Sequence, residues 1–163
     1  MLRPIVITAA FAIVLGTGLV VAQEVSGSVG ETIAARRGLM NQLASIQTLI
    51  DTRLAAPDYS SELYDLGQAA AASLDAFAVL LPENTNLLGD AAPVEGAETT
   101  AAPAIWEDLP AFQALLREAA AHARTASEAA DAAEFKTHWD MVAQSCSSCH
   151  EAYVNFDPFA GFN

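Results

Sequence analysis

Late in a chain of 163 residues, two thiols and an imidazole stand together in the run Cys146-Ser147-Ser148-Cys149-His150. Cysteines three residues apart share one face of a helix, so both sulfurs can bond a single flat partner. His150 lies one turn beyond Cys146 and offers a ring nitrogen from the same side. Two thioethers plus an axial imidazole is the chemistry of covalent haem attachment, and the run has that spacing. Four other readings compete, and the plainest is a chance run in a structural helix. A thiol–disulfide redox pair wants a strand before the motif and a helix after it, whereas this motif falls late in a helical pattern. A zinc site wants a fourth ligand, and no second paired motif exists. A structural disulfide here would close a very short loop and stabilise little.

The rest of the chain fits an exported helical domain. The net charge is −13, which disfavours nucleic acid as a partner and favours proteins with a basic surface. Residues 1–22 read as a signal peptide: Arg3 leads an uncharged run from Ile5 to Val21, and Ala22 offers a cleavage point. Cleavage there removes one cation, taking −13 to −14. An uncleaved segment would instead be an anchor, the only route to a membrane, although its length is near the lower limit for a span. Either way residues 23–163 are expected to form one domain outside the cytoplasm.

Alanine dominates the apolar residues, and β-branched runs between turn signals are absent, so the pattern is all-α. A first helix over about 30–53 carries Ile33, Met40, Leu43 and Ile50 on one stripe. Arg36 falls on that stripe too, and Pro57-Asp58 punctuates the end. A second helix starts at Ser60 or Ser61, carries Leu63, Leu66, Ala70, Leu74, Phe77 and Leu81, and stops at Pro82. Residues 82–104 have no periodicity and read as a long connection, either crossing the bundle or mobile. Pro110 belongs in a first helical turn, which makes 104–109 a separate turn before a third helix bearing Phe112, Leu115, Ala119, Ala123 and Ala126. Asp131 caps a fourth helix with Glu134 at capping-box spacing. Phe135, Trp139, Val142, Cys146, Cys149 and Tyr153 form its stripe, and Asp157-Pro158 ends it. Four such amphipathic segments predict an antiparallel up-down four-helix bundle. Stripes this rich in Ala are expected to leave room between helices for a flat porphyrin.

With the motif at the end of four helices, the chain resembles the class II cytochromes c, which include cytochromes c′ and the c-556 type. The resemblance spans about Glu31 to Tyr153. It rests on Arg36-x-x-Leu39-Met40, on Phe77 with Leu81-Pro82-Glu83-Asn84-Thr85, on Ile105-Trp106-Glu107-Asp108 and on the motif. It implies a twisted bundle around one covalent haem c, with His150 as the proximal iron ligand. Homodimers through the first two helices are common in the family. In c-556 members a Met at the place of Met40 is the sixth ligand; in cytochromes c′ an apolar residue there blocks the distal face unbound. The sequence leaves both cases open at Met40. One departure is visible: the family usually has a basic residue shortly after the motif His, often four positions on, where this chain has Val154.

The site expected from sequence is therefore Cys146, Cys149 and His150, with Met40 and Arg36 across from them. A buried Arg generally faces an anion, and a haem propionate would be one; the plainer alternative is a stripe-edge Arg reaching water along its stem. No substrate need be transformed, so the chain reads as a periplasmic electron carrier of a bacterium rather than an enzyme, with gas binding as the rival. No Arg-His distal pair suggests peroxidase chemistry. His122 reads as half-exposed and His138 as solvated. Trp139 reads as a porphyrin contact or core, Trp106 as an anchor for the third helix, and Phe156, Phe159 and Phe162 as a tail that packs on the bundle or in a dimer.

Overall fold

The computed structural model describes residues 27–56, 60–88 and 94–155. The expected signal segment, the Pro57-Asp58 punctuation, Asp157-Pro158 and the three tail phenylalanines lie outside them. Five helices occur among the described residues: α1 (Val29–Leu54), α2 (Glu62–Val79), α3 (Ala104–Glu107), α4 (Leu109–Ser127) and α5 (Ala132–Tyr153). The four long ones make the bundle, and α3 is the separate turn that Pro110 required. None of the helices described is long and apolar enough to cross a membrane.

Local chemistry sets the helix starts. Ser28 and Glu31 form a full capping box at α1, a signal that is readable in Ser28-Val29-Gly30-Glu31. These hydrogen bonds to Ser28 hold the Glu31 carboxyl below its ordinary pKa. At α2 the cap position is Ser61, but the hydroxyl that takes a first-turn N–H is Ser60's, from Glu62 at 3.1 Å. Asp108 caps α4 and Asp131 caps α5. Glu134 reaches back past the cap and accepts from the Ala130 N–H, so the α5 motif is one residue off a true capping box.

Packing is uneven around the ring. α2 lies hard against α4, α4 packs on α5 and α1 on α2, whereas α1 and α5 hardly meet. Alanine explains the first of these contacts. Ala70 and Ala71 of α2, with Ala119, Ala120, Ala123 and Ala126 of α4, are all buried, and their small side chains let the backbones approach. A Cβ at Gly67 would come within 2.8 Å of the Ser127 Cβ and 3.0 Å of the Ala123 carbonyl. The Ala stripes thus close one seam, contrary to the expectation that they leave it open; the space lies at the α1–α5 seam. We expect Gly67→Ala to force α2 from α4 and to destabilise the fold by about 1–3 kcal/mol, measured by denaturant unfolding.

The connection after α2 is built, not loose, where it is described. Residues Glu83–Thr85 form a short 3-10 turn that buries Thr85 completely. Residues 97–102 then cross the bundle and join the end of α5. Ala101 and Val154 form an isolated antiparallel bridge. The Ala102 N–H donates to the Tyr153 carbonyl at 2.9 Å, and the Asn155 N–H to the Thr100 carbonyl at 2.7 Å. Val154, the position that departs from the family pattern, is thereby part of a backbone clasp.

Candidate cofactor site

The burial pattern along α5 shows where its stripe changes partner. Phe135, Trp139 and Val142 are buried, while Cys146, Cys149 and Tyr153, further along the same stripe, are only half-buried. They face a cleft between α5 and α1. The cleft has two lobes. One holds about 220 Å³ and is lined by Leu43, Leu74, Leu116, Trp139 and Val142 with Cys146. The other holds about 630 Å³ and is lined by Arg36, Arg37, Phe77, Phe112 and Tyr153 with strap residues 98–101. Met40, Cys149 and His150 border both. The combined space falls in the range of a cofactor pocket.

Each expected site residue is at this cleft. Cys146 and Cys149 are not bonded to each other. Burial raises both thiol pKa values; at Cys149 burial comes first and the neighbouring Cys146 second, and together they push it to about 11. His150 is exposed and borders the cleft. Met40, half-buried on α1, stands on the opposite wall from His150. Among the described residues no three His, Cys, Asp or Glu side chains converge into a metal-binding group. The donors suit a flat partner bonded at separate points better than a bare ion held by all three.

The thiol shift has a measurable consequence. A raised thiol pKa favours the protonated form in the folded state, so its contribution to stability is complete below the unfolded value near 9 and is lost as pH rises toward 11. At pH 7–8 the Cys149 thiolate is about a hundredfold scarcer in the folded chain with free thiols than after unfolding. Iodoacetamide is expected to alkylate it correspondingly slowly until denaturant is added, with peptide mass as the readout.

Arg36 is 4% exposed. Its Nη1 donates to Thr85 Oγ1 at 3.2 Å, and its guanidinium sits 5.6 Å from the Trp106 ring centroid. Thr85 Oγ1 in turn donates to the Pro82 carbonyl, and Trp106 Nε1 to the Leu81 carbonyl. The 3-10 turn and α3 therefore hold the cation from behind, leaving Nη2 buried with no partner. Burial lowers the Arg36 pKa. An orphaned donor of this kind costs about 1–3 kcal/mol unless something answers it, and a carboxylate in the larger lobe would do so. The stripe-edge alternative, with the head in water, does not fit this burial.

Other residues fall less centrally. Trp106 does anchor the start of the third-helix region through Leu81. Trp139 both fills core and lines the smaller lobe, with Nε1 buried and unpartnered. His122 is half-exposed beside Glu118, and His138 is half-buried rather than fully solvated. Sequence reasoning missed Arg37 and strap residues Glu98, Thr99 and Thr100 as cleft lining. Only Arg37 carried a signal, as a second cation beside Arg36 in an acidic chain.

A four-helix bundle open along one seam, with two thiols and an imidazole on one wall, defines a haem-binding bundle. The family model for Cytochrome C′ matches residues 31–154, and the chain belongs to that family, within the class II cytochromes c. Its cofactor is one covalent haem c with its iron. The structure is similar to cytochrome c′ from Thermochromatium tepidum (24% identity, 80% of this chain and 98% of that one, TM-score 0.64). It is also similar to cytochrome c′ from Rhodopseudomonas palustris (26% identity, 76% and 94%, TM-score 0.63). A third is a cytochrome c′ described as having an unusual ligand-controlled dimer dissociation (24% identity, 80% and 98%, TM-score 0.64). No curated protein matches significantly.

Proposed function

We propose that this chain is an exported, periplasmic electron carrier that transforms no substrate. Cys146 and Cys149 would hold the haem by thioethers, His150 and Met40 would hold its iron, and Arg36 would bind a propionate. Bound there, the iron supplies a one-electron couple whose potential the His/Met pairing tunes. The observation that carries this reading is the placement of Met40 and His150 on opposite walls of one cleft, each bordering both lobes. A thioether carried on α1 and an imidazole carried on α5 would hold the iron from two separate helices, which would limit rearrangement on electron transfer. Leu43, Leu74, Leu116, Phe77 and Phe112 would give the ring an apolar lining. The acidic chain is suited to a redox partner with a basic surface. Homodimerisation through α1 and α2 is part of the proposal, in keeping with the dimer described for one solved relative.

A second reading, binding of nitric oxide or carbon monoxide at five-coordinate iron, is favoured by the family match itself. Met40 would then be an apolar plug on the cleft wall. Ferric and ferrous spectra of the purified protein with carbon monoxide decide between them. A low-spin spectrum unmoved by the gas supports the carrier; a high-spin spectrum that shifts on adding it supports the gas binder.

A further inference from the structure

Three of the six Lys and Arg among the described residues are answered by carboxylates: Arg53 by Glu62, Arg124 by Asp75 and Lys136 by Asp140. Arg36, Arg37 and Arg117 are not, although the chain carries 20 Asp and Glu against 7 Lys and Arg, and of these three only Arg36 and Arg37 line the cleft. Both line the larger lobe of the cleft. Two adjacent cations without carboxylate partners, lining one cavity, match in number the two carboxylates of a haem.

Their fixings differ. Arg36 is held by Thr85 and Trp106 within the fold. Arg37 reaches outward, and its Nη2 donates to the carbonyl of Glu98 on the strap. Strap residues Glu98, Thr99, Thr100 and Ala101 line the same lobe, and backbone pairing with residues 153–155 anchors them. Ala97 and Ala102 are buried at either end of this stretch. A guanidinium has five N–H donors in a planar fork, so one bond to Glu98 leaves enough to bind a carboxylate as well.

We propose that Arg37 binds the second propionate and joins it to the strap, so that residues 97–102 are a clasp closed over the carboxylate end of the cofactor. This rests on the haem placement proposed above. Arg37 is then a positioning residue with two loads: the cofactor on one side of its fork and the Glu98 carbonyl on the other. The other titratable groups lining the lobe are Glu98, Cys149, His150 and Tyr153, with Cys149 no longer free to titrate once it is a thioether.

The test uses the mature holoprotein, its haem first verified by mass, as wild type, Arg37→Gln, Arg37→Lys and Glu98→Gln. Hydrogen exchange is followed at residues 97–102 and 153–155, and the midpoint potential is followed against pH. Arg37→Gln is expected to speed exchange in these two segments about tenfold or more, with the helices unchanged. It should also move the pH break of the potential upward, because a propionate that loses its cation holds its proton more tightly. Arg37→Lys keeps the charge without the fork and should fall between. Faster exchange with an unmoved pH break would overturn the proposal, leaving Arg37 a tie to Glu98 alone. A break that follows Glu98→Gln instead of Arg37→Gln would overturn it too, as would no change in either readout. Absence of covalent haem in the wild type would overturn the haem placement, and the clasp's role with it.

Discussion

Met40→Ala is expected to turn a low-spin protein indifferent to carbon monoxide into a high-spin protein that binds it. Met40 is the residue of α1 that borders both lobes of the cleft together with His150. Removing its thioether frees the position opposite the imidazole without touching Cys146, Cys149 or His150. A sulfur–iron bond worth about 3 kcal/mol would otherwise compete with the gas, so its loss corresponds to roughly a hundredfold gain in gas affinity. Ala also removes volume, and a buried Met often serves only to fill space. Met40→Leu separates the two roles, because it keeps the bulk and deletes the sulfur. If ligation is the role, Leu behaves like Ala in spin state but admits the gas less readily. A high-spin wild type would make Met40 a plug, and then Leu should leave the spectrum as it was.

Replacing both Cys146 and Cys149 by Ala is expected to abolish covalent haem in the exported protein and to cost much of the bundle's stability. These thiols lie where α5 leaves the core: Phe135, Trp139 and Val142 pack inward, and the next turns face the cleft. α1 and α5 make little direct contact, so a haem between them would do much of the joining. A ligand present at a thousandfold over its Kd stabilises by about 4 kcal/mol, and one joined covalently by more. Loss of covalent haem should therefore appear as a lower thermal midpoint as well as a missing haem mass. Either single replacement leaves one thioether and should give an intermediate midpoint with altered ferrous bands.

Much of this arrangement is legible in the sequence because local chemistry writes it. The stripe of α5 predicts which side chains share a face, and Pro110 and Asp131 mark real helix starts. Arg36 stands out as a charge on an apolar stripe, and the structure buries it with one donor unanswered. The clasp is not legible: it rests on one bridge, Ala101 to Val154, and two flanking backbone bonds, which impose no periodicity on side chains. The open seam is hidden for a related reason. Stripes say which face of each helix is buried but not which neighbour it meets, so the Ala-rich stripes of α2 and α4 could not be told from a cofactor wall. Gly67 and Ser127, 60 positions apart along the chain, decide that those two helices close. The Ser28-Glu31 box shows the opposite case, a signal plain in the sequence that the apolar stripe alone does not reveal.

The central claim is that one haem is joined to both sulfurs of the final helix. The mass of the peptide containing Cys146 and Cys149, released from protein exported by a host with haem-attachment machinery, tests it directly. The account predicts a single adduct of one haem bound through both sulfurs, with neither thiol open to alkylation. A peptide recovered with two free thiols, or with Cys146 and Cys149 joined as a disulfide, would contradict it.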